Sequence, residues 1–176
     1  MEKKIKFSVV LPIYIKIDYI IFRKSFESIL NQTLKPNEII IIFDGPVKKN
    51  IQEYVNKRKK KLKFIKILKF SKNRGLGHVL NKAVKKCKYN VIARCDSDDF
   101  SNKKRFQIQI NYLKKNKKID VLGTNVYEVN NKKIISKKIM MKGDENIKKQ
   151  LLFRNPINHS TVMFKRNKVL SSGNYQ

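Results

Sequence analysis

Residues 91–101 read VIARCDSDDFS and place Asp96, Asp98 and Asp99 within four positions, just after an apolar run. The chain has only 13 acidic residues against 42 Lys and Arg, so the cluster is out of proportion. Carboxylates this close repel one another unless a cation sits among them. A hard divalent ion such as Mg²⁺ or Mn²⁺ prefers oxygen ligands and keeps positions open for phosphate oxygens. The competing reading is a helix N-cap at Asp99 or Ser101, ahead of a helix over 103–116. One side chain suffices for a cap, so metal binding is the reading that uses all three carboxylates.

Other polar residues fall at comparable places. Asp44 ends an apolar run and could accept the N–H of a ligand such as a uracil ring; taken alone, a turn aspartate before Gly45-Pro46 is the favoured reading. NRGLGHVLN at 73–81 opens a helix with glycines, which suits an anion at the helix N-terminus. It matches neither a dinucleotide fingerprint nor a P-loop, so glycines serving close backbone approach explain it equally well. His159 lies in the Asn-rich loop of RNPINHSTVMFKR and is a candidate ligand, although a lone histidine is more often structural. His78 sits at a helix start and reads as structural.

The elements that must position these residues are legible from periodicity. FSVVLPIY (7–14), NEIIIIFDG (37–45), KFIKILKF (63–70) and NVIARC (90–95) read as strands, the first two apolar throughout. Helices alternate with them. Phe22, Phe26, Ile29 and Leu30 mark one ending near Gln32, 47–60 is a second and very basic one, and Leu76 to Cys87 follow the cleanest i, i+3, i+4, i+7 pattern. Phe106, Ile110 and Leu113 lie on a fourth. Beyond it, 119–128 and 133–141 read as strands, 144–153 as a helix and 160–165 as a short strand. Strand and helix alternating four times imply βαβ units and a mostly parallel sheet flanked by helices, hence an α/β class in one domain spanning 1–176. Such a sheet gathers Tyr14, Asp44, Asn73, Arg74 and Asp96 at one edge, where ligands bind in this architecture.

Composition narrows the class. At 41 % hydrophobic and 31 % charged the chain reads as globular. No apolar run reaches the ~18 residues of a membrane helix. The N-terminus lacks a signal cleavage site and its apolar part reads as a strand, so the expected location is cytoplasmic, with room for peripheral contact at the inner face of the membrane. The net charge of +29 is dominated by lysine spread along the chain, with one dense run, KRKKKLK at 57–63. Compositional drift accounts for it first, attraction to anionic membrane second; dedicated nucleic-acid binding comes last, and nucleic acid is not an expected partner. Cys87 and Cys95 match no metal or disulfide spacing and read as buried small hydrophobes.

FSVVLPIY, SILNQTLKPNEIIIIFDGP, NRGLGHVLNKAV, IARCDSDD and RNPINHSTVMFKR, in this order and spacing, resemble family 2 glycosyltransferases. The flavour is the bacterial exopolysaccharide and lipopolysaccharide type, similar to amylovoran biosynthesis transferases. The resemblance covers 6–175 and implies the Rossmann-like GT-A fold. It also implies an inverting, metal-dependent transfer of sugar from a nucleotide-sugar donor, usually a UDP-sugar, to a lipid-linked or growing glycan acceptor. By the same resemblance Pro12 and Tyr14 line the nucleotide pocket, Asp44 contacts the base and Arg74 faces the nucleotide. DSD at 96–98 is the DxD motif: Asp96 faces the ribose or donor sugar and Asp98 binds Mn²⁺ or Mg²⁺. Asp99 is a donor-side contact, and His159 matches a histidine near the metal. One departure stands out. In the family an acidic segment that carries the general base follows GGY, whereas here the chain reads SSGNYQ and ends at Gln176, with no carboxylate in 160–176. The expectation is a C-terminally truncated domain whose base lies beyond Gln176, or else a nucleotide-sugar-binding piece without the base.

Overall fold

The structure is a computed structural model that describes residues 4–130 and 133–176. Met1 to Lys3 of the charged N-terminus and residues 131–132 lie outside the described residues.

Four strands form the parallel part of the sheet: β1 (Phe7–Ile13), β2 (Glu38–Phe43), β3 (Ile65–Lys69) and β4 (Val91–Arg94). The helices between them are α1 (Tyr19–Leu30), α2 (Lys49–Lys61) and α3 (Leu76–Lys86), with α4 (Arg105–Lys115) following β4. Every residue of β1 and β2 is buried, which is why neither strand alternates in sequence: helices cover both faces. One core layer unites Phe22, Phe26 and Ile29 of α1 with Leu11, Ile41 and Phe106, and a second sets α3 against Val10, Ile40 and Ile42. Phe7 meets Phe106 edge to face at 5.2 Å between ring centroids, so α4 is fixed to the central strand. Cys87 and Cys95 are both buried and unpaired.

Two later strands extend the sheet, β5 (Val121–Leu122) and β8 (Met163–Lys165), giving the order β3-β2-β1-β4-β8-β5 with β8 antiparallel to β4. The predicted 119–128 strand is in fact two pieces. Its first part is β5, and its second is β6 (Val126–Asn130), which leaves the sheet to pair with β7 (Lys133–Lys138) in a separate antiparallel ribbon. Gly123, Thr124 and Asn125 divide them. The Thr161 hydroxyl accepts the Thr124 N–H at 3.0 Å, which turns the chain away from β8. The helix predicted over 144–153 is α5 (Asp144–Leu151), and a short helix not expected from periodicity, α6 (Arg166–Ser171), ends the chain's ordered elements.

Register is set at the edge of the sheet opposite the site. Ser8 pairs with Glu38, and the Glu38 carboxylate is buried between strands. It accepts the Ser8 hydroxyl, the Lys66 ammonium at 2.7 Å and the Lys88 N–H at 2.8 Å, tying β1, β2, β3 and the approach to β4. Burial pushes this carboxyl up, but the Lys66, Ser8 and Lys88 hydrogen bonds outweigh it and hold it below the ordinary value. A carboxyl lowered in the folded state contributes stability above its unfolded value and loses it as pH falls through the folded one. Glu38→Gln is therefore expected to lower urea stability by about 2 kcal/mol near neutrality, because it weakens three bonds to one buried acceptor. The gap between variant and parent should close in acid; an unchanged gap at about pH 3 would show that the ionised form is not what matters.

Candidate donor site at the carboxyl edge of the sheet

The strand order reverses direction at β1: β2 and β3 lie on one side of it, β4 on the other. At such a switch point the loops leaving adjacent strands part and open a crevice at the carboxyl edge. The crevice is present, with a volume of about 370 Å³. Its walls come from Pro12 near the end of β1 and Tyr14 just after it, Asp44 after β2, Asn73 and Gly75 before α3 with Leu76 at its start, Arg94 at the end of β4, and Asp96 and Asp98 beyond it. Residues up to 86 positions apart in sequence thus meet because parallel strands deliver all their ends to one side.

Asp44 is buried, and it does more than make a turn. One of its oxygens accepts the Arg74 N–H at 2.7 Å, which draws the 70–75 loop against the end of β2. Gly45 permits that approach. Its φ is +88°, and a Cβ there would lie 2.7 Å from the Asn73 nitrogen, so any side chain would push the loop away. Gly45→Ala is expected to cost about 2 kcal/mol of stability and to widen the Asp44 side of the crevice, measurable as a lower melting temperature together with weaker ligand binding.

Asp96 is held by Arg94, whose guanidinium grips both carboxylate oxygens. Arg94 itself is 3 % exposed, and its Nε has no partner among the described residues. Burial pushes the Asp96 carboxyl up, the Arg94 charge draws it back, and Asp99 and Asp98 push it up again. The loop beyond is tied down from several sides. The Ser25 hydroxyl donates to the Asp96 carbonyl at 3.0 Å, and Gln32 donates to the Asn102 carbonyl at 2.7 Å while accepting the Phe106 N–H. Arg105 donates to the Arg94 carbonyl at 2.7 Å.

The capping alternative for the acidic cluster does not hold. Helix α4 starts after Lys104 with no side-chain cap, and Asn102 accepts the Lys104 N–H instead. Asp98 and Asp99 are exposed and have no hydrogen-bond or ion-pair partner among the described residues. Asp98 lines the crevice; Asp99 does not. Among the described residues no three His, Cys, Asp or Glu side chains converge into a ready-made metal cage. The donor set therefore fits a hard cation only where one protein carboxylate suffices and other oxygens come from a ligand or water.

Two expected residues lie elsewhere. The Arg74 side chain is exposed and outside the crevice lining; only its backbone enters the site, through Asp44. His159 lies in a neighbouring, mostly apolar pocket of about 380 Å³ with Val162, Phe164 and Tyr175. Its Nε2 and the Tyr175 hydroxyl are 2.9 Å apart. Burial, assisted by the nearby Arg94 charge, pushes its pKa down to about 4, so it is neutral at physiological pH. His78 is exposed and meets Phe70 edge to face.

Sequence reasoning passed over Arg94 and Leu76. Leu76, which the helical pattern groups with Val79, Leu80 and Ala83, edges the crevice. Arg94 carried a usable signal: a lone cation inside an apolar strand, two residues before an aspartate and therefore on the same side of the chain.

The profile of glycosyl transferase family 2 matches residues 8–172. The chain belongs to this family. Among its relatives, the amylovoran biosynthesis glycosyltransferase AmsE of Erwinia amylovora is 32% identical over 170 residues, 97% of this chain and 64% of that protein. The UDP-Gal:alpha-D-GlcNAc-diphosphoundecaprenol beta-1,3-galactosyltransferase of Escherichia coli is 32% identical over 178 residues, 97% of this chain and 62% of the relative. The chain thus spans a little under two thirds of the length of these two relatives. The fold is that of GT-A glycosyltransferases. S. aureus TarS 1-349 in complex with UDP-GlcNAc superimposes with a TM-score of 0.73 at 20% identity, over 97% of this chain and 48% of that one. The mannosyltransferase PcManGT of Pyrobaculum calidifontis, in complex with GDP-Man and Mn2+, gives 0.71 at 12% identity, over 99% and 48%.

Proposed function

We propose that this family 2 chain binds a nucleotide-sugar donor, most simply a UDP-sugar, in the crevice between the ends of β1, β2 and β4. It would contribute the donor half of an inverting glycosyl transfer to a lipid-linked or growing glycan. The observation that carries the reading is the meeting of Asp44, Asp96 and Asp98 in one crevice, each in a different setting. Asp44 is buried and held by the Arg74 backbone, suited to accept from a base N–H. Asp96 is fixed by Arg94 and lines the crevice, suited to hydroxyls of the ribose or sugar. Asp98 is free and exposed, suited to a cation. Pro12 and Tyr14 form the wall beside the base.

Mn²⁺ or Mg²⁺ fits this donor set at Asp98, completed by diphosphate oxygens; when bound, such an ion would neutralise charge developing on the departing diphosphate. Asp99 stands next to it as a further carboxylate outside the crevice. His159 belongs to the proposal only as a neutral imidazole one pocket away, whose bond to Tyr175 would have to break before it reached a metal. The basic surface would let the protein dwell at anionic membrane, where lipid-linked acceptors lie. Among the described residues no helix is long and apolar enough to cross a membrane.

A second reading has its own support. Inverting transfer needs a base to take the acceptor proton. The acids lining the crevice are Asp44, Asp96 and Asp98, all assigned to the donor. A nucleotide-sugar-binding piece without the base is therefore the alternative, and both readings share the donor site. Calorimetric titration of UDP in Mn²⁺ and in EDTA tests that site. The expected result is binding that Mn²⁺ strengthens and that Asp44→Ala weakens by about tenfold, the worth of one buried charged acceptor. UDP binding indifferent to Asp44 would remove the base assignment, and no binding in either condition would remove the donor reading.

A further inference from the structure

Residues 127–130 and 133–154 leave an unusual amount of apolar side chain uncovered. In the β6–β7 ribbon Tyr127, Val129, Ile134 and Ile135 are all exposed, followed by Ile139. Helix α5 buries none of its residues, and the chain that leaves it exposes Leu152 at 82% and Phe153 at 88%. Elsewhere Phe7, Phe22, Phe26 and Phe106 are completely buried, and the most exposed other phenylalanine, Phe100, is 61% exposed. A patch of this kind marks an interaction surface.

Charge says what kind. Lysines interleave with the apolar residues, and residues 126–154 carry eight basic side chains against three acidic ones. Glu128 pairs with Lys138 and Asp144 with Lys148, and the basic side chains beyond these pairs leave the surface with a net positive charge. Lys137 lies over the Tyr127 ring at 5.8 Å, an arrangement in which cation and aromatic face share one surface. The core of a protein–protein interface is depleted in lysine. Leu and Phe set among Lys and Arg are instead what an interfacial membrane segment uses: the rings and chains enter the acyl boundary while the ammonium groups stay at anionic headgroups. The whole chain, at +29, adds a long-range pull of the same sign.

We infer that the β6–β7 ribbon and the α5 segment through Phe153 form the surface by which this protein docks on an anionic lipid bilayer, apolar side chains inserted and lysines at the headgroups. The inference rests on the membrane-contact part of the proposed function and assigns it a place.

The chain contains no tryptophan, so one introduced indole reports a single position. Phe153→Trp is conservative at an exposed site and leaves the core untouched. With vesicles of phosphatidylglycerol and phosphatidylethanolamine its emission is expected to shift to the blue, with no shift on pure phosphatidylcholine. In co-sedimentation, Leu152→Asp with Phe153→Asp should lower partitioning about tenfold. Lys137→Gln, Lys142→Gln and Lys149→Gln should each lower it several-fold, more at low salt. Neutralising Lys57, Lys59, Lys60 and Lys61 on α2 should cost less than the Leu152 and Phe153 changes. Sedimentation with anionic vesicles but no emission shift, or a loss that follows α2 instead, would overturn the assigned surface and leave membrane contact standing. No association with anionic vesicles would overturn both. A blue shift that grows with protein concentration and needs no vesicles would mean that a second copy covers the surface, and would also overturn the inference.

Discussion

Replacing Asp98 with asparagine is expected to abolish the gain in UDP affinity that Mn²⁺ provides, a drop of about 10- to 100-fold, while the weaker binding seen in EDTA survives. The carboxylate is exposed, lines the crevice and has no partner among the described residues, so its loss leaves nothing in the protein unpaired and should not move the melting temperature. Asparagine keeps the shape and one oxygen but not the charge, and a hard divalent cation is held by charge as well as by geometry. Asp99→Asn is the matched comparison: the same change of charge one residue further on, outside the crevice lining, expected to be several-fold milder. Equal effects from the two would mean that the cluster acts as a diffuse field. No effect from Asp98→Asn would place any metal elsewhere, and His159 would then need testing.

Arg94→Ala is expected to do the opposite: it should damage the fold and the site together. The guanidinium is almost wholly buried, holds both oxygens of Asp96, and touches the crevice. Removing it strands a half-buried carboxylate and opens a void, at a cost of about 3 kcal/mol, read as a lower urea midpoint. UDP binding should weaken as well, because Asp96 would no longer be aimed. Arg94→Lys should recover little, since an ammonium cannot make the planar two-point grip. A double-mutant cycle with Asp96→Ala separates the pair from the packing: additive costs would mean that Arg94 acts through volume alone.

The two variants differ because of where the side chains sit. Asp98 is open to a ligand and Arg94 holds the protein's own loop, although they lie only four positions apart. The sequence cluster alone treats the three aspartates as alike. The strand end divides them, with Asp96 turned back onto the buried arginine, Asp98 facing the crevice and Asp99 outside it.

By itself the sequence determined the alternation of strands and helices through residue 115, because buried parallel strands and amphipathic helices write strong periodic signals. With that alternation it also determined that Pro12, Tyr14, Asp44 and the acidic cluster would share one edge, which follows from parallel chain direction alone. It carried the family as well, in five ordered blocks. Tertiary structure decided what depends on contacts between distant residues. The 119–128 run splits because Thr161, 37 residues on, takes the Thr124 N–H. Asp44 becomes a loop clamp because Arg74 comes to it, and His159 departs to a second pocket because Tyr175 is there to bond it. The exposed ribbon and α5 were readable as strand and helix, since periodicity reports amphipathicity. That nothing among the described residues covers them is a fact about neighbours, and local sequence does not encode neighbours.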